Sequence, residues 1–164
     1  MADKNVLQDV YLFKGLNAEQ IGAISEIASV NTYNPTDEVF GQGDEAKAAY
    51  FIKYGSIRIT QKTPSGDTVE VATLGTGSHF GEMPFLDTEV RSATAVAIER
   101  TDLVEVPYDK LRDLLAGNPP IAVHFFRELA HFLAGRLRIT TNDLNFARER
   151  NPQSFLTRTT ARFG

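Results

Sequence analysis

Between Phe80 and Ala95 the chain reads Phe-Gly-Glu-Met-Pro-Phe-Leu-Asp-Thr-Glu-Val-Arg-Ser-Ala-Thr-Ala, with Gly81-Glu82 at its opening and Arg91-Ser92 near its close. A glycine lets backbone come close to a ligand and present its N–H groups. An arginine carries a planar fork of donors that suits a phosphate. A carboxylate repels a phosphate, so Glu82 is better matched to hydroxyls, from which it accepts hydrogen bonds. A ligand that uses all three has a sugar with a free hydroxyl on one side and a phosphate on the other.

The elements around this stretch change period along the chain. Val6, Leu7, Val10, Leu12 and Phe13 read as a short helix over 5–13. Asn17 then offers an N-cap with Gln20 as its capping-box partner, and Ile21, Ile24, Ile27 and Ala28 make 18–29 an amphipathic helix broken at Asn34-Pro35. From residue 36 onward the pattern is β. Gly41-Gln42-Gly43-Asp44 is a turn-rich loop, and Ala49–Lys53, Ser56–Thr60, Thr68–Leu74, Thr94–Ile98 and Leu103–Val106 are strand-like. Turns fall at Tyr54-Gly55, at Pro64-Ser65-Gly66-Asp67 and at Gly75-Thr76-Gly77. Short strands at this spacing predict a sandwich or barrel. Pro107 opens a short helix through Leu111, Leu114 and Leu115, stopped by Gly117-Asn118-Pro119-Pro120, and a long helix then runs to about Arg150. Its inner stripe is Phe126, Ala130, Leu133, Leu137, Thr140, Leu144 and Ala147, a heptad pattern. The first half suits packing along the chain's own β layer. The second half is too polar on its other faces to be buried all round, which predicts a parallel two-helix seam between two copies.

The stretch 80–95 resembles the phosphate-binding cassette of the cyclic nucleotide-binding domains, whose pattern is Phe-Gly-Glu, an apolar residue, a small residue, two apolar residues, a short variable loop, then Arg-Ser/Ala-Ala-Thr. Gly41–Gly43 and Tyr50–Ser56 resemble that family's Gly-rich turn and its Tyr-Phe-Ile-x-x-Gly-Ser stretch, so the likeness covers roughly residues 10 to 145. The resemblance implies a mainly β fold, a jelly-roll-like β-roll with N-terminal helices before it and a long C-terminal helix after it. Its divisions would be N-terminal helices over 1–34, the β-roll over 35–107 with the cassette at 80–95, C-terminal helices over 108–150, and a flexible tail over 151–164. It also implies that Glu82 accepts from the ribose 2′-hydroxyl and that Arg91 pairs with the cyclic phosphate. Gly81, Ser92 and Ala93 would donate backbone N–H groups, and Met83 would complete the ligand-binding set. Pro84 departs from the pattern: the family usually has Ala or Gly there, and proline has no N–H to donate.

Arg136-Leu137-Arg138-Ile139-Thr140-Thr141 is similar to the hinge end of the dimer helix in catabolite activator-type proteins. There, two adjacent hydroxyl residues reach the adenine of cyclic AMP, one from each subunit, which implies the same for Thr140 and Thr141. In those proteins a DNA-reading helix-turn-helix follows. Here twelve residues follow Pro152, too few for its two helices, so no DNA contact is expected. The last seventeen residues carry four Arg against Glu149, a basic end that is solvated or meets an anionic or protein partner.

Composition removes other classes. The 164 residues hold no cysteine, excluding disulfides, thiolate zinc sites and thiol catalysis. No secretory pattern opens the chain and no apolar run approaches a membrane span, so a soluble cytoplasmic protein is expected. The net charge of −4 disfavours a nucleic-acid surface. His79, His124 and His131 form no His-x-His metal pattern, His79 could line the cassette's entrance, and no nucleophile–base spacing or nucleotide-binding loop appears. A non-enzymatic cyclic nucleotide sensor is therefore expected, dimeric through its long helix, binding cyclic AMP in preference, with cyclic GMP as the other candidate ligand, without metal or cofactor and acting on a protein effector. The alternatives are a ligand-free dimerisation or interaction module on the same fold, and a metal-dependent β-roll enzyme.

Overall fold

The computed structural model describes residues 7–150; the first six residues and the tail 151–164 lie outside it. Two compact units divide the chain, Met1–Phe125 and Phe126–Gly164.

Among the described residues the first unit holds eight strands in two antiparallel sheets. The strands are β1 (Ser29–Tyr33), β2 (Glu38–Phe40), β3 (Ala48–Tyr54), β4 (Ser56–Lys62), β5 (Thr68–Gly75), β6 (His79–Phe80), β7 (Thr94–Ala97) and β8 (Thr101–Pro107). One sheet has the order β1-β8-β3-β6 and the other β2-β7-β4-β5. Tyr50, Ile52, Phe80 and Leu103 of the first sheet meet Ile57, Ala95 and Ala97 of the second in one buried cluster. Large apolar side chains buried this way contribute about 1.5–3 kcal/mol each. The tight turn between β3 and β4 is made by Gly55, at φ +95°, where an added Cβ would lie 2.7 Å from the Arg100 carbonyl oxygen.

The helices are α1 (Ala18–Ile27), α2 (Met83–Asp87), α3 (Tyr108–Gly117) and α4 (Pro119–Arg150). The capping box forms as the sequence predicts: Gln20 N–H donates to Asn17 Oδ1 and Asn17 N–H to Gln20 Oε1, both at 2.9 Å. Three expectations are corrected. Of the helix expected over 5–13, Leu7 and Gln8 are helical, and the chain then passes through Val10 in an extended conformation to a 3-10 turn at Tyr11–Phe13. Leu7, Val10, Leu12 and Phe13 are all buried, and one helical face could not turn them all inward. The helix expected to 29 ends at Ile27, with Ala28 extended, and 29–33 is a strand paired to β8 from Ser29↔Glu105 to Tyr33↔Thr101, so the β layers begin before residue 35. Pro119 and Pro120, read as a stop, form the first turn of α4, where a proline loses no intrahelical bond.

In the first unit α4 buries Ile121 and Phe125; Phe126, expected on the inner stripe and the first residue of the second unit, is 45% exposed. One residue is a 100° step around a helix, so the buried line and the heptad line are different faces. In the second unit the heptad positions Leu137 and Leu144 are 68% and 40% exposed. Arg136 lies over the Phe132 ring at 5.6 Å, and Thr141 Oγ1 donates to the Leu137 carbonyl at 2.8 Å.

Candidate functional site

Three backbone registers place the cassette. Tyr50 pairs with Phe80, which fixes where Gly81 leaves β6. Ala48 pairs with Pro107, and Tyr108 N–H donates to the Lys47 carbonyl at 2.9 Å, which sets the start of α3 beside Ala48. At the far end, Arg91 N–H donates to the Asp44 carbonyl and Gly43 N–H to the Arg91 carbonyl, at 2.9 and 2.8 Å. The Gly-Gln-Gly-Asp turn that receives Arg91 is closed by Asp44 Oδ2, which accepts from Gly41 N–H at 2.7 Å. The cassette thus leaves one sheet at Gly81 and is fastened to the second through the 41–44 loop.

Between these ends the backbone turns through the short helix α2. Thr88, at φ +60°, ends it, with its N–H donated to the Pro84 carbonyl at 3.0 Å. Pro84 is buried in the first turn, where its missing N–H breaks no helical bond. Met83 is 46% exposed, Ser92 is exposed and Ala93 half-buried. The Ser92 carbonyl accepts from Gln61 Nε2 at 3.0 Å, which ties the end of the cassette to β4.

Arg91 turns inward and is 3% exposed. Its Nη2 donates to the Ala48 carbonyl at 2.7 Å, and its Nη1 to the Gly81 carbonyl at 3.0 Å and the Tyr108 hydroxyl at 3.2 Å. The Tyr108 hydroxyl donates in turn to the same Gly81 carbonyl. The guanidinium lies 4.0 Å from the Phe40 ring centroid, a cation–π contact. A guanidinium has five N–H groups, and these three bonds leave the Nε–H and one N–H on Nη2. Nε is buried with no hydrogen-bond partner. A buried donor left unpaired costs about 1–3 kcal/mol, so this edge favours an acceptor from outside the chain. Gly81 makes the arrangement possible: at φ +74° its carbonyl faces the guanidinium, and a Cβ there would lie 2.7 Å from Arg91 Nη1.

Glu82 is also 3% exposed, and its Oε2 lies 3.5 Å from Nδ1 of His79. His79, read from sequence as lining the entrance, is instead a buried residue of β6 beside this carboxylate. The fold therefore brings Gly81, Glu82 and Arg91 together within the first unit. Thr140 and Thr141 are exposed residues of the second unit.

Sequence reasoning missed Tyr108, Phe40 and the Ala48 carbonyl, whose relation to Arg91 is set by strand register. Burial holds the Tyr108 phenol up at about 12, against a smaller opposing pull from Arg91. The Tyr108 ring packs on Phe85 of α2 at 5.4 Å, and Phe85 meets Phe125 of α4 edge-on at 5.9 Å. The cassette helix is thereby packed against the first residue of α3 and the first turns of α4.

A groove of about 370 Å³ beside Tyr108 is lined by Glu45, Lys47, Asp109 and Arg112 among others, and its acidic and basic side chains offset each other rather than select an anion. Among the described residues no group of three His, Asp or Glu side chains is placed to hold a metal ion, and no helix is long and apolar enough to cross a membrane.

Comparison with known proteins agrees with this geometry. The family model described as the cyclic nucleotide-binding domain matches residues 30–118. The chain is 34% identical over 143 residues to the Cyclic AMP receptor protein of Thermus thermophilus, covering 85% of this chain and 64% of that one. It is 32% identical over 126 residues to Glutaminase 1 of Bradyrhizobium diazoefficiens, covering 77% of this chain and 20% of that enzyme. The crystal structure of the Thermus thermophilus catabolite activator protein superposes with a TM-score of 0.73 at 33% identity, covering 84% of this chain and 62% of that one. The chain thus spans somewhat under two thirds of the receptor protein and a fifth of the glutaminase. The chain belongs to the cyclic nucleotide-binding domain family, in the form that catabolite activator-type proteins carry.

Proposed function

We propose that the protein is a non-catalytic sensor of a cyclic nucleotide, cyclic AMP by preference, and that Arg91 and Glu82 are the core of its site. The observation that carries this reading is the buried Arg91 guanidinium, anchored by three protein acceptors with its Nε–H left unpaired. A singly charged cyclic phosphate supplies two exocyclic oxygens to such an edge and neutralises the buried cation. Glu82, ten residues or fewer from Arg91 in sequence and held beside His79, accepts from a ribose hydroxyl. Gly81, Met83, Ser92 and Ala93 complete the contact, the small residues through their backbone N–H groups. Thr140 and Thr141 supply hydroxyls for the base once two copies pair along the heptad face of α4, which favours adenine. The aromatic packing from Phe85 to Tyr108 and Phe125 supports a signal that passes from cassette to helices and on to a protein effector in the cytoplasm.

Calorimetric titration of ligand-stripped protein with cyclic AMP, cyclic GMP and 5′-AMP tests the reading. Saturable cyclic AMP binding with weaker responses to the other two is the expected result. A preference for cyclic GMP removes the role given to the threonine pair. Absence of binding to all three favours a ligand-free interaction module, the reading to which Pro84 contributes by removing one backbone donor from the cassette.

A further inference from the structure

Tyr108 lies seventeen residues beyond Arg91, outside the cassette, yet its hydroxyl is the hub of the buried contacts around the guanidinium. It accepts from Arg91 Nη1 and donates to the Gly81 carbonyl, and that carbonyl also accepts from Arg91 Nη1 at 3.0 Å. Three groups from three elements close a ring: the end of β6, the end of the cassette and the first residue of α3. The ring occupies both N–H groups of Nη1, while Ala48 takes one from Nη2. What remains for a ligand is the edge containing Nε, whose direction is set by these anchors and by the Phe40 ring beneath.

We infer that Tyr108 is a positioning residue for the anion site: its hydroxyl fixes the orientation of the Arg91 fork and ties that orientation to the start of α3. This deepens the cyclic nucleotide reading and rests on it. Without the hydroxyl, Nη1 keeps only the Gly81 carbonyl, and the fork is held by that bond, by Ala48 on Nη2 and by the Phe40 ring, with one of its three hydrogen-bond anchors gone. A phosphate then meets a cation of the same charge whose direction is less tightly set. The loss falls on the geometry of the phosphate contact as well as on overall affinity. Phe85 still packs on the ring in a Tyr108→Phe variant, so the aromatic cluster remains.

The test is titration of the full chain and of Tyr108→Phe with cyclic AMP and with its two phosphorothioate diastereomers. Each diastereomer replaces one exocyclic oxygen by sulfur, a poorer acceptor, so a fixed fork separates them and a loosened one does not. The variant is expected to bind cyclic AMP about tenfold more weakly, which is about 1.4 kcal/mol. The ratio of affinities for the two diastereomers should fall toward unity, a change that a merely structural role would not produce. Thermal melts of the free proteins establish that both are folded at the temperature of titration. Wild-type affinity with an unchanged diastereomer ratio in the variant overturns the role of Tyr108 while leaving the site intact. Weaker binding with an unchanged ratio also overturns it, since the hydroxyl would then support the fold and not the fork. Failure of the wild-type chain to bind any of the three overturns the parent reading itself, and Tyr108 with it.

Discussion

Substituting Gly81 by alanine should damage the protein in two separable ways. At φ +74° any L side chain is strained, by roughly 1–2 kcal/mol. The added Cβ would also lie 2.7 Å from Arg91 Nη1, closer than a Cβ settles against a neighbour, and 3.2 Å from Tyr50 Cδ2, a tight contact that asks the ring to give slightly. Arg91 cannot simply move aside, because its other donors are bound to Ala48 and Tyr108. Displacing it weakens a charged hydrogen bond, a loss of about 1.5–3 kcal/mol. The sum is roughly 2–4 kcal/mol, allowing for partial relaxation. Gly66 is the internal control: it has φ +94° with nothing within 4 Å of an added Cβ, so Gly66→Ala carries the backbone strain alone. Thermal melts followed by circular dichroism should lower the midpoint for Gly81→Ala by roughly 5–15 °C, and for Gly66→Ala by only a few degrees. Cyclic AMP affinity should fall for the first and stay unchanged for the second. Equal melting shifts, or an unaltered affinity in Gly81→Ala, would refute the claim that this glycine exists to admit the guanidinium.

Three further outcomes are expected. Burial raises the phenols of Tyr33, Tyr50 and Tyr108, the last to about 12. A raised tyrosine favours the folded state fully below the unfolded value near 10, and that contribution is lost as pH rises through the folded value. Native protein just above pH 10 should therefore keep these phenols protonated, and adding denaturant should release extra phenolate absorbance; no increment would contradict their burial. Leu137→Asp with Leu144→Asp should convert a dimer to a monomer in sedimentation experiments with little change in the melt, whereas an unchanged dimer would place the interface elsewhere. Gly55→Ala should lower stability by roughly 2–4 kcal/mol in denaturant titration, since strain and backbone overlap with Arg100 coincide there; a loss under about 1 kcal/mol would mean the turn relaxes freely.

Local chemistry was legible in the sequence wherever both partners sit a few residues apart. The Asn17–Gln20 capping box, the Pro64–Asp67 turn and the β4–β5 hairpin are of this kind, and the structure forms all three. Strand β1 was hidden because Ser29-Val30-Asn31-Thr32 is exposed on both faces and so carries no alternation, while it continues directly from an amphipathic helix. Strand β6 is two residues long and has no pattern to read. The long helix was misread by one position because its buried line, Ile121 and Phe125, adjoins a heptad line that begins at Phe126. In the candidate site, Gly81, Glu82 and Arg91 stood out by residue type and by the resemblance of 80–95 to the family's cassette. Their supports did not: Ala48 and Tyr108 reach Arg91 only through the pairing of β3 with β8, a contact between segments about sixty residues apart. A tyrosine after Pro107 looks like any residue that starts a helix.

The central claim is that Arg91 is held ready for a cyclic phosphate. Its most direct measurement is the cyclic AMP affinity of Arg91→Ala beside Arg91→Lys, by calorimetry on folded, ligand-stripped protein. Alanine removes cation and fork together and should weaken binding by roughly 2–5 kcal/mol. Lysine restores the charge without the fork and should recover only part of that loss. Binding by Arg91→Ala at the wild-type affinity would contradict the account, because the buried guanidinium would then serve the fold alone.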